Sequence, residues 1–475
     1  MMRRLSAFSN DTEFLGYVRI VMRLVVAVIA MLVAMPVCGE EPSSSPHPGL
    51  RHLRETMYLP ESFDQTTFDS LWLTWPIEAK KEVAKLSLSE RRRATMARYG
   101  LVVDPESSPD ELNPIGYIVD HSGGWHMNCL SCHQGTVEGK LIPGVANQQF
   151  DLQSLTEDVA TVKLFRGKLT KVQDLGALAF PMGSTSGTTN AVMFGVAFVA
   201  QRTPDMSVVP LQRVEFTHHD MDAPSWWHYA KKSGIYIDGF SPKHHRVLMQ
   251  FTLAPSNDRD TIYSWEKDFV EIQDYLNSLK APKYEGLIDE ALAKQGAVVF
   301  RDHCSSCHGT YATKYSEDVA SYPNKLVPLD DVGTDRVRLE SIGPEHRQWI
   351  KDSWMTEYGK QPVILDPQGY VAPPLDGVWA SAPYFHNGAV PTLEEVLNPE
   401  KRPVVWMREN DRYDYERVGL KVERVEEMPK GAMDKAVKRR YFDTRLLGKA
   451  NRGHDYPGVL SETERRVLLE YLKGL

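Results

Sequence analysis

Two five-residue runs constrain this chain more than anything else in it: Cys129-Leu130-Ser131-Cys132-His133 and Cys304-Ser305-Ser306-Cys307-His308. Between them they hold four of the five cysteines. Two thiols a helical turn apart can add to the two vinyl groups of one porphyrin, and the histidine that follows then lies under the ring with an imidazole nitrogen for the iron. The competing uses of paired cysteines fit less well. A four-cysteine zinc ribbon sets its pairs roughly 15–20 residues apart, whereas about 170 residues separate these. Disulfides or a thioredoxin-like pair would not require a histidine after both second cysteines. The spacing therefore predicts two covalently bound c-type haems. Cys129, Cys132, Cys304 and Cys307 form the attachments, and His133 and His308 are the proximal iron ligands.

The fifth cysteine lies in a different setting. Leu24 to Val37 is an almost unbroken apolar run, preceded by Arg3, Arg4, Arg19 and Arg23 and followed by Val37-Cys38-Gly39. Such a run is short for a membrane span and suits the core of an export signal cleaved after a small residue. The expected organisation is a signal peptide over 1–39, with translation starting at Met1 or Met22, and a flexible polar linker over 40–50. The mature protein is then periplasmic or otherwise exported, with no transmembrane span; an uncleaved N-terminal anchor is the alternative. A net charge of -8 over 475 residues leaves no global basic field for nucleic acid.

The second motif sits in a recognisable frame. Ile288 to Phe300 reads as an amphipathic helix that runs into the haem loop, and Ser461 with Glu464 makes a capping box before a last helix ending Tyr471-Leu472. Gly296 lets these two helices cross closely, since it carries no side chain. The first half echoes this more weakly through the helical run Phe269 to Leu279, and Lys280-Ala281-Pro282 marks a boundary. The fold expected is mainly α: two tandem cytochrome c-like haem domains, 51–281 and 282–475, with long loop insertions and few short strands. The charged stretch 400–440 reads as a solvated excursion.

The most distinctive run is Gly369 to Leu393, containing Ala382-Pro383-Tyr384-Phe385-His386-Asn387-Gly388-Ala389-Val390-Pro391-Thr392-Leu393. It resembles the A-P-Y-x-H-[ND]-G-x-x-x-[TS]-L motif of bacterial di-haem cytochrome c peroxidases and of the related enzyme that matures tryptophan tryptophylquinone. It is most similar to the di-haem rubber oxygenases and their relatives, which also share Tyr441-Phe442-Asp443-Thr444, Gly453-His454 and a run like Pro224-Ser225-Trp226-Trp227. The resemblance implies two haems with divided labour. The N-terminal one keeps an exchangeable position for peroxide or dioxygen, and the C-terminal one relays electrons.

In the peroxidases and the quinone-forming enzyme, a methionine or tyrosine ligand follows the motif histidine at a set distance. That distance here reaches Pro399-Glu400. His454 is the candidate distal ligand of the second haem, with Met407 and His386 as alternatives. Gly453 before it permits close approach of backbone to the porphyrin. His386 is otherwise a haem-loop contact, bonding a propionate or a backbone carbonyl. Trp226 and Trp227 are candidate inter-haem relays or core aromatics. His218, His219, His228, His244 and His245 could cap the first haem. Calcium, held between the domains of the peroxidases, has no loop spacing in this sequence.

The function expected is haem binding and electron transfer. The chain reads as a peroxidase-like or oxygenase-like redox enzyme served by a partner such as a small cytochrome or cupredoxin. The alternative is a non-catalytic di-haem electron carrier or a dehydrogenase-associated subunit.

Overall fold

The computed structural model describes residues 46–108, 112–168, 182–210, 217–431 and 433–475. The chain divides into Met1–Pro46 and a compact unit, His47–Leu475. The expected signal peptide, Cys38 and most of the linker lie outside the described residues. The fold is rich in helix, with short sheets only. Among the described residues no helix is long and apolar enough to cross a membrane.

Four helices frame the unit: α1 (Pro48–Glu55), α2 (Glu266–Ser278), α3 (Glu290–His303) and α4 (Glu462–Lys473). Asp289 caps α3 by accepting from the Ala291 and Leu292 amides, and the Ser461/Glu464 capping box opens α4 as its sequence requires. α3 crosses α4 at Gly296, where an added Cβ would stand 2.0 Å from the Val467 carbonyl oxygen. α1 crosses α2 in the same manner, because a Cβ on Gly49 would stand 2.2 Å from the Glu271 carbonyl oxygen. The partner of the Phe269–Leu279 run is thus a helix that opens at Pro48, inside the stretch expected to be linker. Proline at the first helical position and a His47 Nδ1 that accepts from the Gly49 amide start it there.

Two large apolar cores follow from these crossings. One gathers Leu53, Phe269, Ile272 and Leu276, and the other Ala297, Phe300, Leu468 and Tyr471. The halves of the sequence exchange material between them. Ile342, Ile350, Trp354 and Met355 pack in the first core, while Ile142, Val145 and Trp227 pack in the second.

A three-stranded antiparallel sheet, ordered Glu61–Asp64, Gly124–Met127, Tyr117–Val119, delivers the chain to the first cysteine motif. Asn128 then fixes the turn, accepting from the Leu130 amide and donating to the Ile115 carbonyl. The stretch 400–440 is not a solvated excursion. Val405–Asp414 pairs with Gly419–Val425 and Tyr441–Asp443, and Trp406 stacks on Phe442 with centroids 5.1 Å apart, both fully buried. Its charges masked an alternation whose inward members seat a small core with Ala389 and Val422.

Candidate haem sites

Both cysteine motifs are single helical turns, Leu130–His133 and Ser305–His308, and all four of their cysteines are free rather than disulfide-bonded. Burial pushes the Cys129 thiol up to about 11 and those of Cys132 and Cys304 to about 12, so they are held as neutral thiols.

The two histidines are oriented alike. His133 Nδ1 donates to the Pro224 carbonyl at 3.2 Å, and His308 Nδ1 donates to the Pro373 carbonyl at 2.8 Å. A carbonyl only accepts, so each bond fixes the tautomer and leaves Nε2 as the free basic nitrogen. Burial lowers both imidazoles, His133 to about 4, which keeps them neutral and able to ligate.

The two prolines belong to matched segments. Ala223-Pro224 and Ala372-Pro373 are followed at equal spacing by Tyr236 and Phe385, by Asp238 and Asn387, and by Gly239 and Gly388. Tyr236 and Phe385 both adopt positive φ, at 68° and 71°, and Asp238 and Asn387 are both fully buried. This internal repeat was visible in the sequence as a constant offset, and it would have located the two proline carbonyls. Residue-type motifs alone do not mark them, because a backbone oxygen leaves no residue-type signal.

One continuous cavity of about 1340 Å³ is lined by both motifs: Cys129, Cys132 and His133, and Cys304, Cys307 and His308. That exceeds the roughly 300–1,000 Å³ of an ordinary small-ligand pocket. His454 and His386 also line it, whereas Met407 does not; Met407 is held in the sheet, paired with Glu423 and Tyr441.

The His454 and His308 ring centroids are 6.1 Å apart. Two imidazoles sharing one metal would place their centroids roughly 6 Å apart, from metal–nitrogen bonds of about 2.0–2.1 Å and the radius of each ring. The residues present therefore fit a bis-histidine metal centre at the second motif. His454 has φ 51°, its amide donates to the Val332 carbonyl at 2.6 Å, and its Nδ1 is buried without a partner among the described residues. Gly453 approaches the backbone of Gly333 and Thr334, so its lack of a side chain serves this loop contact.

The tandem tryptophans divide between the two motifs. Trp226 stacks on His133 with centroids 4.7 Å apart and planes 19° from parallel. Trp227 is buried in the second core and donates Nε1 to the Asp376 carbonyl at 2.7 Å. His228 Nε2 donates to the same carbonyl at 2.8 Å, and Lys231 pairs with the Asp376 carboxylate. The sequence thus leads from His133 through adjacent indoles to the loop whose Pro373 orients His308. His244 and His245 lie with ring centroids 4.4 Å apart and planes tilted by 35°, they pair with Glu357 and Glu266, and neither lines the cavity.

Among the described residues, His386 has no hydrogen bond to a backbone carbonyl. Its Nε2 is buried without a partner among the described residues, and its ring lies 4.7 Å from that of Tyr370.

The sequence family described as RoxA-like, cytochrome c-like matches residues 369–407, the segment that holds Pro373, Asp376 and His386. A cytochrome c-like domain points to a c-type haem with its iron and to electron transfer, and such domains are typically exported. Two curated relatives, both from Sinorhizobium fredii (strain NBRC 101917 / NGR234), are similar to this chain. The uncharacterized protein y4iJ is 28% identical over 281 residues, 46% of this chain and 45% of its own length. The uncharacterized protein y4iM is 30% identical over 286 residues, 53% of this chain and 64% of its own length. The chain thus spans about half of the one relative and under two thirds of the other.

Proposed function

We propose that this chain is an exported di-haem c-type cytochrome that acts as a redox enzyme on peroxide or dioxygen at its N-terminal haem, with its C-terminal haem relaying electrons. The observation that carries the reading is the shared cavity, into which both C-x-x-C-H turns open, each with its histidine oriented by a proline carbonyl. A bound haem supplies an iron that exchanges electrons and, where an axial position stays open, takes up a small oxidant.

The unequal surroundings of the two histidines support the division of labour. His308 faces His454, which suits a closed relay centre. Among the described residues, the ring stacked on His133 is that of Trp226, and apolar side chains that include Met193, Phe194 and Phe251 line the cavity. Such a wall would exclude water from an open position. Trp226 and Trp227 would hold the path between the centres short. The second motif is the less covered of the two: Ser306 is exposed, whereas Leu130 and Ser131 are buried. That supports electron entry from a small cytochrome or cupredoxin at the second haem.

The test is haem stoichiometry followed by spectroscopy on protein made with the attachment machinery. Two covalent haems are expected, one reducing to an open high-spin form that binds carbon monoxide or reacts with peroxide. His454→Ala should convert the second haem from low to high spin and leave the first unchanged. Fewer than two haems per chain overturns the reading. Two haems that stay low-spin and inert in every redox state make the chain an electron carrier.

A further inference from the structure

A file of aromatic side chains runs through the second core, from the cavity wall to the protein surface. Tyr384 lines the cavity. Its hydroxyl donates to the Val378 carbonyl at 3.1 Å, and the next carbonyl, that of Trp379, accepts from the Tyr413 hydroxyl at 2.7 Å. The Trp379 ring stands edge-on to Tyr413 and to Tyr284, with centroids 5.7 and 5.5 Å apart. Both of these tyrosines then meet Tyr415, at 4.8 and 5.8 Å. Trp379, Tyr384 and Tyr413 are buried, whereas Tyr415 is partly exposed.

The polar ends of these rings differ in a way that packing does not require. The hydroxyls of Tyr384, Tyr413 and Tyr284 and the indole of Trp379 all donate to backbone carbonyls. A carbonyl accepts a hydrogen bond but does not take up the proton. Tyr415 alone in the file faces a base. Burial and the charges of Glu138 and Glu285 raise its hydroxyl, and the Glu138 carboxylate lies against it. Glu285 is engaged by Lys140, which leaves Glu138 as the proton acceptor. A phenol that loses an electron becomes a strong acid, and it persists as a neutral radical only where its proton can leave. An oxidising equivalent that enters at Tyr384 therefore passes along the touching rings and comes to rest at Tyr415.

We propose that Tyr415 is a second reaction site, at which oxidising power generated at the haems is delivered to a phenol that never enters the cavity. The proposal rests on the peroxide-reducing reading above. Peroxide is the oxidant: it takes two electrons and two protons and leaves as two waters. Each electron is drawn through the file from Tyr415, whose phenolic proton moves to Glu138 and from there to solvent. The Tyr415 radical then takes a hydrogen atom from the O–H of the phenol, which restores Tyr415 and releases the phenol as a radical. Two such cycles supply the two electrons and two protons, and the two phenol radicals couple. The negative charge of Glu138 beside the ring favours a neutral or cationic phenol over an anionic one.

The experiment compares haem-loaded wild type with Tyr415→Phe, Tyr415→Trp and Glu138→Gln. Hydrogen peroxide is the oxidant, and tyramine, a cationic phenol, is the donor. Peroxide consumption driven by ferrocyanide is measured first. A wild type that consumes no peroxide overturns the peroxide reading, and this site falls with it. Where consumption is present it should be equal in all four proteins, because neither Tyr415 nor Glu138 lines the cavity. Tyramine oxidation, followed by the fluorescence of its coupled product, should fall to background in Tyr415→Phe. It should fall about a hundredfold in Glu138→Gln, the lower range of what a positioned base contributes. Tyr415→Trp keeps an oxidisable ring and should recover part of the turnover. Wild type should oxidise tyramine faster than its anionic counterpart hydroxyphenylacetate. Freeze-quenched EPR of wild type with peroxide and no donor should show a tyrosyl radical that Tyr415→Phe abolishes. Tyramine turnover that persists in Tyr415→Phe, or a tyrosyl signal that this variant leaves unchanged, overturns the site while the peroxide reading stands. Equal loss in Tyr415→Phe and Tyr415→Trp makes the ring a packing element and overturns it as well.

Discussion

Gly296→Ala tests the helix crossing that carries the second cysteine motif. The added Cβ would stand 2.0 Å from the Val467 carbonyl oxygen, 2.6 Å from its carbonyl carbon and 2.8 Å from Tyr471 Cβ. Real Cβ contacts essentially never fall below 3.0 Å, so α3 and α4 must part by about 1.0 Å. The obstacle is backbone on the opposing helix, which cannot rotate away as a side chain can. A gap of that size opens beside Phe300, Leu468 and Tyr471, which are almost wholly buried, and forfeits a substantial part of their dispersion contacts. Overpacking a well-filled core costs about 1–3 kcal/mol. The rigid obstacle argues for the upper end, roughly a hundredfold in the folded-to-unfolded ratio. Urea unfolding followed through the Soret band of the haem-loaded protein reads this as a lower midpoint. Gly343→Ala is the control, because its Cβ meets nothing within 4 Å and its φ is -74°. Equal midpoints for Gly296→Ala and Gly343→Ala would refute the close crossing.

Gly49→Ala should lower stability in the same way through the Glu271 carbonyl, and an unchanged urea midpoint would separate α1 from the role given to α3. His219 and His228 are buried with imidazoles lowered to about 4. The unfolded chain therefore binds more protons, and the stability they contribute above about pH 6.5 is lost as pH falls toward 4, by up to about 3 kcal/mol each. A denaturation midpoint that does not fall across that window would contradict their burial as neutral rings. Asp222 runs the other way: burial raises its carboxyl to about 7, despite the Gln148 amide donating to it at 2.7 Å. The folded state holds this proton after the unfolded chain has lost it, so stability falls as pH rises from about 4 to about 7 and levels off above. Asp222→Asn, which keeps an acceptor for Gln148, should be more stable than wild type by about 4 kcal/mol at pH 8, by less than half of that at pH 5, and little different below pH 4, read as urea midpoints.

The chemistry of attachment was legible in the sequence because it is local. Cys129 to His133 and Cys304 to His308 each gather two thiols and an imidazole within a single turn, so their order alone points to a porphyrin. The α3–α4 pair was legible for a related reason: a capping box and a lone glycine on an apolar face each mark a helix. Its counterpart was not. Pro48-Gly49 follows a polar stretch, and only the approach to Glu271 gives Gly49 its meaning. The 405–425 hairpin was hidden because its charged side chains outnumber its inward ones, and Arg408 is itself buried, bonded to Gln148 from the other half of the chain.

His454 was named from position and Gly453, but its distance to His308 belongs to the fold, since the two stand 146 positions apart in the chain. The proline carbonyls and the joined cavity are likewise tertiary, because each is a relation between atoms remote in sequence. Sequence by itself determined which groups can hold a cofactor, since covalent and ligand chemistry reside in residue type and short spacing. Only the tertiary structure decided which nitrogen is left free and which face is closed. Those follow from burial and distance, which no local pattern encodes.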